Sequence, residues 1–154
     1  MSIVASAATT AEFVTVMVDG QMFGIPVLSV QDVLGPQKIT KIPLSPPEIA
    51  GVLNLRGRIV TAIDLRRRLR LASRPEGERG MSVVVEHKSE PYSLIVDSVG
   101  EVMALPHSAF ERNPPTLSAR WREISGGIYR LDGNLLVVLE VDKALDFGPV
   151  AEAA

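Results

Sequence analysis

Short apolar runs separated by tight-turn sequences are the feature that most limits the folds open to this chain. Phe13–Val18 and Met22–Val27 flank Asp19-Gly20, a dipeptide typical of two-residue hairpin turns. Later pairs of apolar runs flank Arg56-Gly57-Arg58, the broader turn His87–Pro91, and Asp132-Gly133-Asn134. Valine, isoleucine and leucine dominate these runs, and β-branched residues suit strands. The pattern predicts an all-β protein built as a small barrel or sandwich.

Helix signals are few and short. Asp64–Leu71 is predicted as a short helix with Asp64 as its N-cap, because an aspartate there can accept a hydrogen bond from a free helix amide. Ser118–Glu123 and Val141–Phe147 are two further short candidates. We therefore expect helices only at the mid-chain junction, in the second half and near the C-terminus.

The chain also contains an internal repeat. At an offset of 69 positions Phe23–Leu34 aligns with Tyr92–Met103, and at an offset of 76 positions Gly51–Leu65 aligns with Gly127–Val141. The change of offset places seven extra residues in the second half, which we assign to Asn113–Trp121. Two copies of one β unit of roughly 70 residues, sharing an interface, explain the repeat. Chance similarity between strand patterns is the alternative.

A Val-x-x-Val pattern occurs once in each repeat. It consists of Val30 and Val33 in the first copy and of Val99 and Val102 in the second. Side chains three apart on a regular strand face opposite sides, so one valine of each pair should face solvent unless a bulge intervenes. An exposed valine in a repeated element suggests a binding face, whereas a bulged or two-sided buried strand is the alternative.

Composition excludes several classes of site. The chain of 154 residues is long enough for one domain with its own core. It has no cysteine, which rules out disulfides, thiolate metal sites and cysteine nucleophiles. Its two histidines, His87 and His107, are too few for a histidine-rich zinc site, and we interpret both as surface residues. No nucleotide-binding or hydrolase motif is present, so we predict no enzyme, no metal and no cofactor.

Charge and hydropathy bear on partners and location. The formal net charge of −2 argues against a nucleic-acid-binding protein. No apolar run approaches the ~20 residues that span a bilayer, and the first residues lack the basic residue of a targeting peptide. We expect a cytoplasmic protein that does not insert into the membrane.

Two basic segments keep alternatives open. The run Arg66–Arg68, followed by Arg70 and Arg74, is interpreted as the solvated face of a short helix, with a nucleic-acid or acidic-partner patch as the alternative. Trp121 lies between two arginines and could stack on a base. Packing of Trp121 between two subdomains, or a role as an interface anchor, is the more ordinary interpretation.

The segment Gly51–Val60 is the most specific stretch of the chain. Two glycines bracket a predicted strand that ends in Asn-Leu-Arg, and Gly57 is expected to supply a positive φ for the turn. Arg56 projects from that turn as a donor suited to one carboxylate. Asp32 is its expected partner if the two strands lie side by side.

These motifs resemble the CheW family of bacterial chemotaxis adaptors. The match consists of Phe-Gly-Ile-Pro-Val at 23–27 with Val-Gln-Asp-Val at 30–33, Ile39–Pro43 followed by two prolines, Ile-Ala-Gly-Val-Leu-Asn-Leu-Arg-Gly at 49–57, Ile-Asp-Leu-Arg at 63–66, and Ile95–Val102. The resemblance extends from about Phe13 to Phe147. Asp32 is a departure, since the family commonly has glutamate there, and the shorter side chain predicts a longer or water-bridged contact with Arg56.

The resemblance implies a fold and a function. The expected fold is two SH3-like five-stranded β-barrel subdomains packed on a shared core, with no catalytic activity and no cofactor. The expected function is an adaptor that couples chemoreceptors to the histidine kinase CheA, whose regulatory domain resembles CheW. The cytoplasmic tip of the receptor and that regulatory domain are the expected partners, with recruitment to receptor arrays at the inner face of the membrane. We expect a monomer in solution and no nucleic-acid partner.

The resemblance also carries site residues over. The receptor-binding residues implied are Val27, Val30, Asp32, Val33, Gly51, Arg56, Val99 and Val102. The kinase-binding residues implied, near the turns of the first barrel, are Ile39, Lys41, Pro43, Gly57 and Arg58.

The predicted organisation is one CheW-like domain over 13–147. We expect its repeat halves at roughly 13–71 and 80–147, a flexible leader at 1–12 and a tail at 148–154. An adaptor paralogue in a chemosensory pathway unrelated to motility is the alternative function, and a nucleic-acid-binding β-barrel is a weaker one.

Overall fold

The computed structural model describes residues 9–75 and 77–146 as a mostly β protein. Its strands are β1 Thr10–Val18, β2 Gln21–Pro26, β3 Val30–Leu34, β4 Ile49–Leu55, β5 Arg58–Asp64, β6 Met81–His87, β7 Glu90–Val96, β8 Ser98–Pro106, β9 Phe110–Glu111, β10 Ser125–Leu131 and β11 Asn134–Leu139. Its α-helices are α1 Leu65–Arg68, α2 Ala119–Arg122 and α3 Val141–Ala144, and 3-10 turns cover Val27–Ser29 and His107–Ala109. In the ranges described, no helix has the length and apolar character needed to cross a bilayer.

The strands form two sheets. The first has the order β8-β1-β2-β11-β10-β9, in which β9 is only two residues long, and the second has the order β3-β6-β7-β5-β4. Each sheet contains one parallel pair, β2 with β11 and β5 with β7, whereas the other pairs are antiparallel. The all-β fold class expected from the sequence is confirmed.

The two halves of the sequence exchange strands. Hairpin β1–β2 of the first half pairs with β8 and β11 of the second half. Hairpin β6–β7 of the second half pairs in the same way with β3 and β5 of the first half. The halves of the sequence and the sheets of the structure are therefore different divisions of the chain, and neither sheet can form without strands from both halves.

The repeated strands also carry equivalent irregularities. The register of β1 against β8 shifts between the pair Val14–Val102 and the pair Val16–Val99. The register of β3 against β6 shifts at the equivalent position. A second bulge lies before Gly51 in β4, and its equivalent lies before Gly127 in β10. Both glycines have a strongly positive φ, +148° and +151°. Strands related by the two offsets thus have equivalent neighbours.

One large apolar cluster joins the two sheets and the three helices. It includes Phe23 and Val137 from the first sheet, Val83 and Leu94 from the second, and Leu65 from α1, all fully buried. Two smaller clusters lie within the individual sheets, one around Phe13 and Tyr129 and one around Leu53 and Val60. A shared core between two sheets, as expected from the family resemblance, therefore holds the subdomains together.

The predicted start of α1 agrees with the structure, whereas one predicted turn and the end of the predicted leader differ from it. The Asp64 carboxylate accepts a hydrogen bond from the amide of Arg66, so the predicted N-cap is present at the start of α1. The predicted broad turn at His87–Pro91 was wrong, because Lys88 and Ser89 both adopt positive φ and close a two-residue hairpin. The predicted leader 1–12 overlaps β1, which begins at Thr10. The rest of that leader and the predicted tail 148–154 lie outside the described residues.

Candidate functional site

A direct ion pair connects Asp32 on β3 with Arg56 in the β4–β5 turn. Arg56 Nη2 lies 2.9 Å from Asp32 Oδ2. The other carboxylate oxygen, Oδ1, accepts a hydrogen bond from the amide of Val33 at 2.9 Å. The expectation of a longer or water-bridged contact was wrong, because the turn brings the long arginine side chain to the shorter carboxylate.

Local backbone geometry positions Arg56. Arg56 and Gly57 both have positive φ, 53° and 86°, as a two-residue hairpin turn of this hand requires. The side-chain oxygen of Asn54 accepts a hydrogen bond from the Gly57 amide at 2.9 Å and closes the turn. The positive φ expected for Gly57 is therefore present, and Arg56 adopts the same strained region without being a glycine.

A small pocket of about 140 Å³ lies beside this ion pair. Its lining residues come from β3, from the β4–β5 hairpin and from the β6–β7 hairpin: Gln31, Asp32, Leu55, Arg56, Arg58, Val60, Val84 and Pro91. The pocket is too small for a typical organic cofactor, for which sites usually measure about 300–1,000 Å³. It suits one or two side chains of a partner protein.

The valine pairs divide between the core and solvent. Val33 and Val102 are 39% and 56% exposed, on β3 and β8, which are edge strands of the two sheets. Val30 and Val99 pack against the large shared core, as does Val27 in the 3-10 turn before β3. The sequence left open an exposed valine or a bulged strand, and the structure shows both. Each valine pair spans a bulge, and one valine of each pair is exposed. Each sheet therefore presents a valine at a free strand edge.

Gly51 lies inside the protein. A Cβ built on this residue would lie 2.1 Å from the carbonyl oxygen of Thr40. Thr40 pairs there with Val52 through two backbone hydrogen bonds of 2.8 and 2.9 Å. Gly51 therefore allows the 35–48 segment to lie against β4. Because that segment covers Gly51, this residue offers no surface to a partner.

The residues implied for kinase contact lie on two neighbouring segments. Lys41, Pro43, Gly57 and Arg58 are exposed, whereas Ile39 is half-buried against the cluster around Leu53 and Val60. The Thr40–Val52 pairing connects the segment containing Ile39 to the hairpin containing Gly57 and Arg58. The structure thus brings these residues to one sheet, on two segments joined by backbone hydrogen bonds.

The arginines after β5 are mostly not solvated. Arg68 is buried and donates to the carbonyls of Ala144 and Lys143 at 2.9 and 3.1 Å and to Glu123 at 3.0 Å. Arg66 and Arg74 have side chains about one-tenth exposed, and both contact Asp97. The predicted solvated face is wrong for these three arginines, because three leucines in the same short segment draw α1 into the core. Because Arg66, Arg68 and Arg74 are paired with carboxylates, they do not form a free basic patch that could bind nucleic acid.

Asp97 is the centre of this ion network. It accepts hydrogen bonds from Arg66 Nε and Nη2 at 2.9 and 2.7 Å and from the Asp19 amide at 2.7 Å. Burial raises the pKa of the Asp97 carboxyl, but the hydrogen bonds from Arg66 and Asp19 and the charges of Arg74 and Arg66 outweigh it and leave this pKa below its usual value. The hydrogen bond to Asp97 raises the pKa of Arg66. The network is charged at neutral pH and links the β1–β2 turn, α1 and the β7–β8 junction.

His87 and Trp121 take part in packing. His87 is buried at the end of β6, with Nδ1 2.8 Å from Asp142 Oδ1, so the surface position predicted for it was wrong. His107 is exposed, as expected. Trp121 on α2 packs against the large core, with its ring 6.2 Å from that of Phe23. Packing is thus the interpretation of Trp121 that the structure supports.

Among the exposed apolar side chains that the sequence patterns did not single out, three are the most exposed. Leu28 is fully exposed in the 3-10 turn between Val27 and β3. Leu44, in the 35–48 segment, and Ile59, on β5, are also largely exposed. The repeat does indicate that Leu28 is exposed. The equivalent position in the second half is the charged Asp97, and a buried position would not accept both residues.

Comparison with known proteins places this geometry in a family. The family model described as "CheW-like domain" matches residues 12–147. The chemotaxis protein CheW of Rhizobium meliloti is 25% identical over 131 residues, which cover 85% of this chain and 84% of that protein. The CheW of Bacillus subtilis is 28% identical, covering 90% and 88%. "Protein PilI" of Pseudomonas aeruginosa is 30% identical over 77% of this chain and 66% of its own length.

The same comparison holds for solved structures. The crystal structure of the scaffolding protein TtCheW from Thermoanaerobacter tengcongensis superposes with a TM-score of 0.80 at 27% sequence identity, covering 90% of this chain and 94% of that one. The family match and the overall superposition agree. This chain is therefore a member of the CheW-like domain family.

Proposed function

We propose that this protein is a non-catalytic adaptor that couples transmembrane chemoreceptors to a CheA-type histidine kinase in a chemotaxis array. Family membership supports this function, as does the likeness to a protein described as a scaffold. The adaptor acts through geometry, since it holds two partners on two surfaces and makes or breaks no covalent bond. It works in the cytoplasm, at the inner face of the membrane, as a monomer in solution.

The receptor surface of this adaptor contains the valine-bearing strand edges and the ion pair. Val33 and Val102 offer apolar area at two free edges, and the Asp32–Arg56 pair lies beside Val33. Val27, Val30 and Val99 support these edges from the core, and Gly51 positions the neighbouring strand. The exposure of Val33 on β3 and of Val102 on β8 is the observation that carries this assignment, because edge strands normally avoid exposed apolar side chains unless these meet a partner.

The kinase surface consists of Ile39, Lys41, Pro43, Gly57 and Arg58. Their position on two segments joined by the Thr40–Val52 hydrogen bonds supports this assignment, since one partner could contact both segments together. Leu44 and Ile59 add exposed apolar area to the same segments. Each contact of this size is expected to be modest in isolation and to gain strength from the many copies in an array.

A reconstituted kinase assay tests the function. Purified CheA-type kinase from the same organism and receptor-containing membranes are incubated with and without this protein, and kinase autophosphorylation is measured. Activity should rise only when all three components are present. No change in activity, together with no binding to either partner in pull-down, would contradict the proposal.

An adaptor paralogue in a different chemosensory pathway is the second candidate. The 30% identity to "Protein PilI", a relative whose name is not that of a chemotaxis protein, favours keeping it. Deleting the gene separates the two candidates. Loss of chemotactic swimming supports the first, whereas normal chemotaxis with altered output of another receptor–kinase pair supports the second.

A further inference from the structure

A second cleft lies away from the Asp32–Arg56 pair, between the 35–48 segment and the loop that precedes β6. It has a volume of about 480 Å³, within the range of roughly 300–1,000 Å³ seen for small-molecule sites. Its described lining residues come from the 35–48 segment, from β4, β5, β6 and β7, from α1 and from the loop before β6. Ile39 and Lys41 at one side of this cleft also belong to the proposed kinase surface, but neither the family match nor the proposed adaptor function assigns the cleft a small-molecule ligand.

The rim of the cleft is positively charged. Four exposed cations line it, and within residues 9–75 and 77–146 none of them pairs with a carboxylate: Lys38, Lys41, Arg67 and Arg79. Of the two acidic lining residues, Asp64 is already paired with Arg74 at 2.9 Å. Among the lining residues that the structure describes, Glu78 alone is left to offset the four cations. This is a concentration of positive charge on a chain whose formal net charge is −2.

The interior of the cleft adds an independent observation. Ser82 on β6 is 1% exposed, and its Oγ has no hydrogen-bond partner among the described residues. A buried hydroxyl without a partner is costly and uncommon, and it is available to donate to a ligand. Half-buried Ile39 and Ala50 and buried Ile95 provide apolar walls beside it. The cleft therefore combines cations at its rim, a free donor inside and apolar surface for an organic group.

We propose that this cleft binds a small organic molecule carrying at least two linked phosphate groups. Lysine ammonium and arginine guanidinium groups are the usual ligands of phosphate, and cations supplied by three separate segments suit an anion with charge spread over several oxygens. The Ser82 hydroxyl donates to one further oxygen, and Ile39 and Ile95 contact the organic part. The excess of positive charge along the rim of the cleft attracts such an anion.

Titration of the full-length protein with defined probes tests the proposal. Backbone amide signals are followed by NMR during additions of adenosine diphosphate, inorganic pyrophosphate and citrate at constant ionic strength. Adenosine diphosphate should give saturable shifts at Ser82, Ile39 and Ile95, and citrate should bind at least about tenfold more weakly, a difference of about 1.4 kcal/mol. Absence of saturable shifts with both phosphate compounds, or equal affinity for citrate, would overturn the proposal.

Matched variants localise the binding. The double variant Lys38→Gln/Arg79→Gln should weaken adenosine diphosphate binding by about tenfold or more, because two charge-assisted contacts are lost. The control Lys88→Gln/Arg112→Gln removes the same charges at exposed positions outside the cleft and should change the affinity less than about twofold. Equal effects of the two double variants would show attraction to net charge alone and contradict a defined site.

Ser82→Ala separates ligand binding from stability. The hydroxyl has no partner to lose, so the free protein should unfold at the same temperature or slightly higher. Adenosine diphosphate binding should nevertheless weaken by roughly threefold, as expected for one lost hydrogen bond. Unchanged affinity in this variant would show that Ser82 does not contact the ligand. The cleft would then be no more than a positively charged surface, and the proposal would be contradicted.

Discussion

Arg56 and Asp32 join the opposite edges of the five-stranded sheet. Asp32 lies on the edge strand β3, and Arg56 follows the other edge strand, β4, yet Arg56 Nη2 and Asp32 Oδ2 are 2.9 Å apart. The sheet must therefore curl, as in a small barrel, until a side chain from one edge reaches the other. The pair places a cation and an anion side by side at the seam, next to the exposed Val33.

Arg56→Glu is expected to weaken receptor-dependent kinase activation strongly. The side chain of Arg56 is 76% exposed, so loss of the pair should cost less than about 1 kcal/mol of stability. Kinase autophosphorylation with receptor membranes measures the first effect, and urea unfolding measures the second. Arg130→Glu is the matched control, since Arg130 also forms an exposed pair, with Glu111 at 3.0 Å. Activation that is unchanged in Arg56→Glu would refute the receptor assignment.

Val102→Asp and Val99→Asp should separate binding from folding. Val102 is exposed on β8, so an aspartate there should weaken receptor binding and change the unfolding free energy by less than about 0.5 kcal/mol. Val99 packs against the large core, so the same change should cost about 2–3 kcal/mol through burial of an unpaired polar group. Thermal unfolding and receptor pull-down are measured for both. Comparable destabilisation in the two variants would show that Val102 is not a free surface valine.

Asp97 should make stability fall in acid. Its pKa is lower in the folded protein than its usual value of 3.8, so the folded state binds fewer protons than the unfolded state near that pH. The stabilisation is therefore fully present above the usual pKa and is lost as the pH falls through the lowered one. Urea unfolding between pH 7 and pH 2 should show this loss in the wild type. Asp97→Asn should be less stable by about 1–3 kcal/mol at pH 7 and should lose less on acidification.

Asp132→Asn is the control for that experiment, because Asp132 is exposed in the β10–β11 turn. Its acid profile should match the wild type. If Asp97→Asn also matched the wild type throughout, the network around Asp97 would have no part in acid sensitivity.

Gly51→Ala should destabilise more than Gly57→Ala. Both residues have positive φ, which costs a side chain about 1–2 kcal/mol. Only at Gly51 would the added Cβ meet backbone, 2.1 Å from Thr40 O, whereas nothing lies within 4 Å of that position at Gly57. The free energies of unfolding in urea should therefore differ by at least about 1 kcal/mol. Equal values would mean that the 35–48 segment moves away from β4 at little cost.

Arg68→Ala should be far more destabilising than Arg67→Ala. Arg68 is buried and donates to the carbonyls of Lys143 and Ala144 and to Glu123, so truncation leaves these acceptors without their donor, at a cost of about 3–5 kcal/mol. Arg67 is its exposed neighbour, and its truncation should stay within about 0.5 kcal/mol. Urea unfolding measures both. Similar small effects would show that α1 and α3 are held together by the apolar core alone.

Local features of the fold were predictable because they depend on neighbouring residues. The hairpin at Asp19-Gly20 and the N-cap at Asp64 follow from turn chemistry and capping. The strand period predicted one exposed valine in each Val-x-x-Val pair but did not say which, and it left open the bulge that both pairs contain. The partner of Arg56 was predictable in identity from the family resemblance. Its distance was not, because it depends on how far the sheet curls.

Sequence alone determined most of the strands, most of their turns, the repeat and the family resemblance. The tertiary structure alone decided which half supplies each strand to each sheet. It buried Arg68 and His87, both expected at the surface, and left the side chain of Arg66 only 12% exposed. It also brought Lys38, Arg79 and Ser82 to one cleft from separate segments. The physical reason is that strand pairing and burial are non-local. A run of arginines has the same local pattern whether its helix faces water or three carboxylates that distant segments supply.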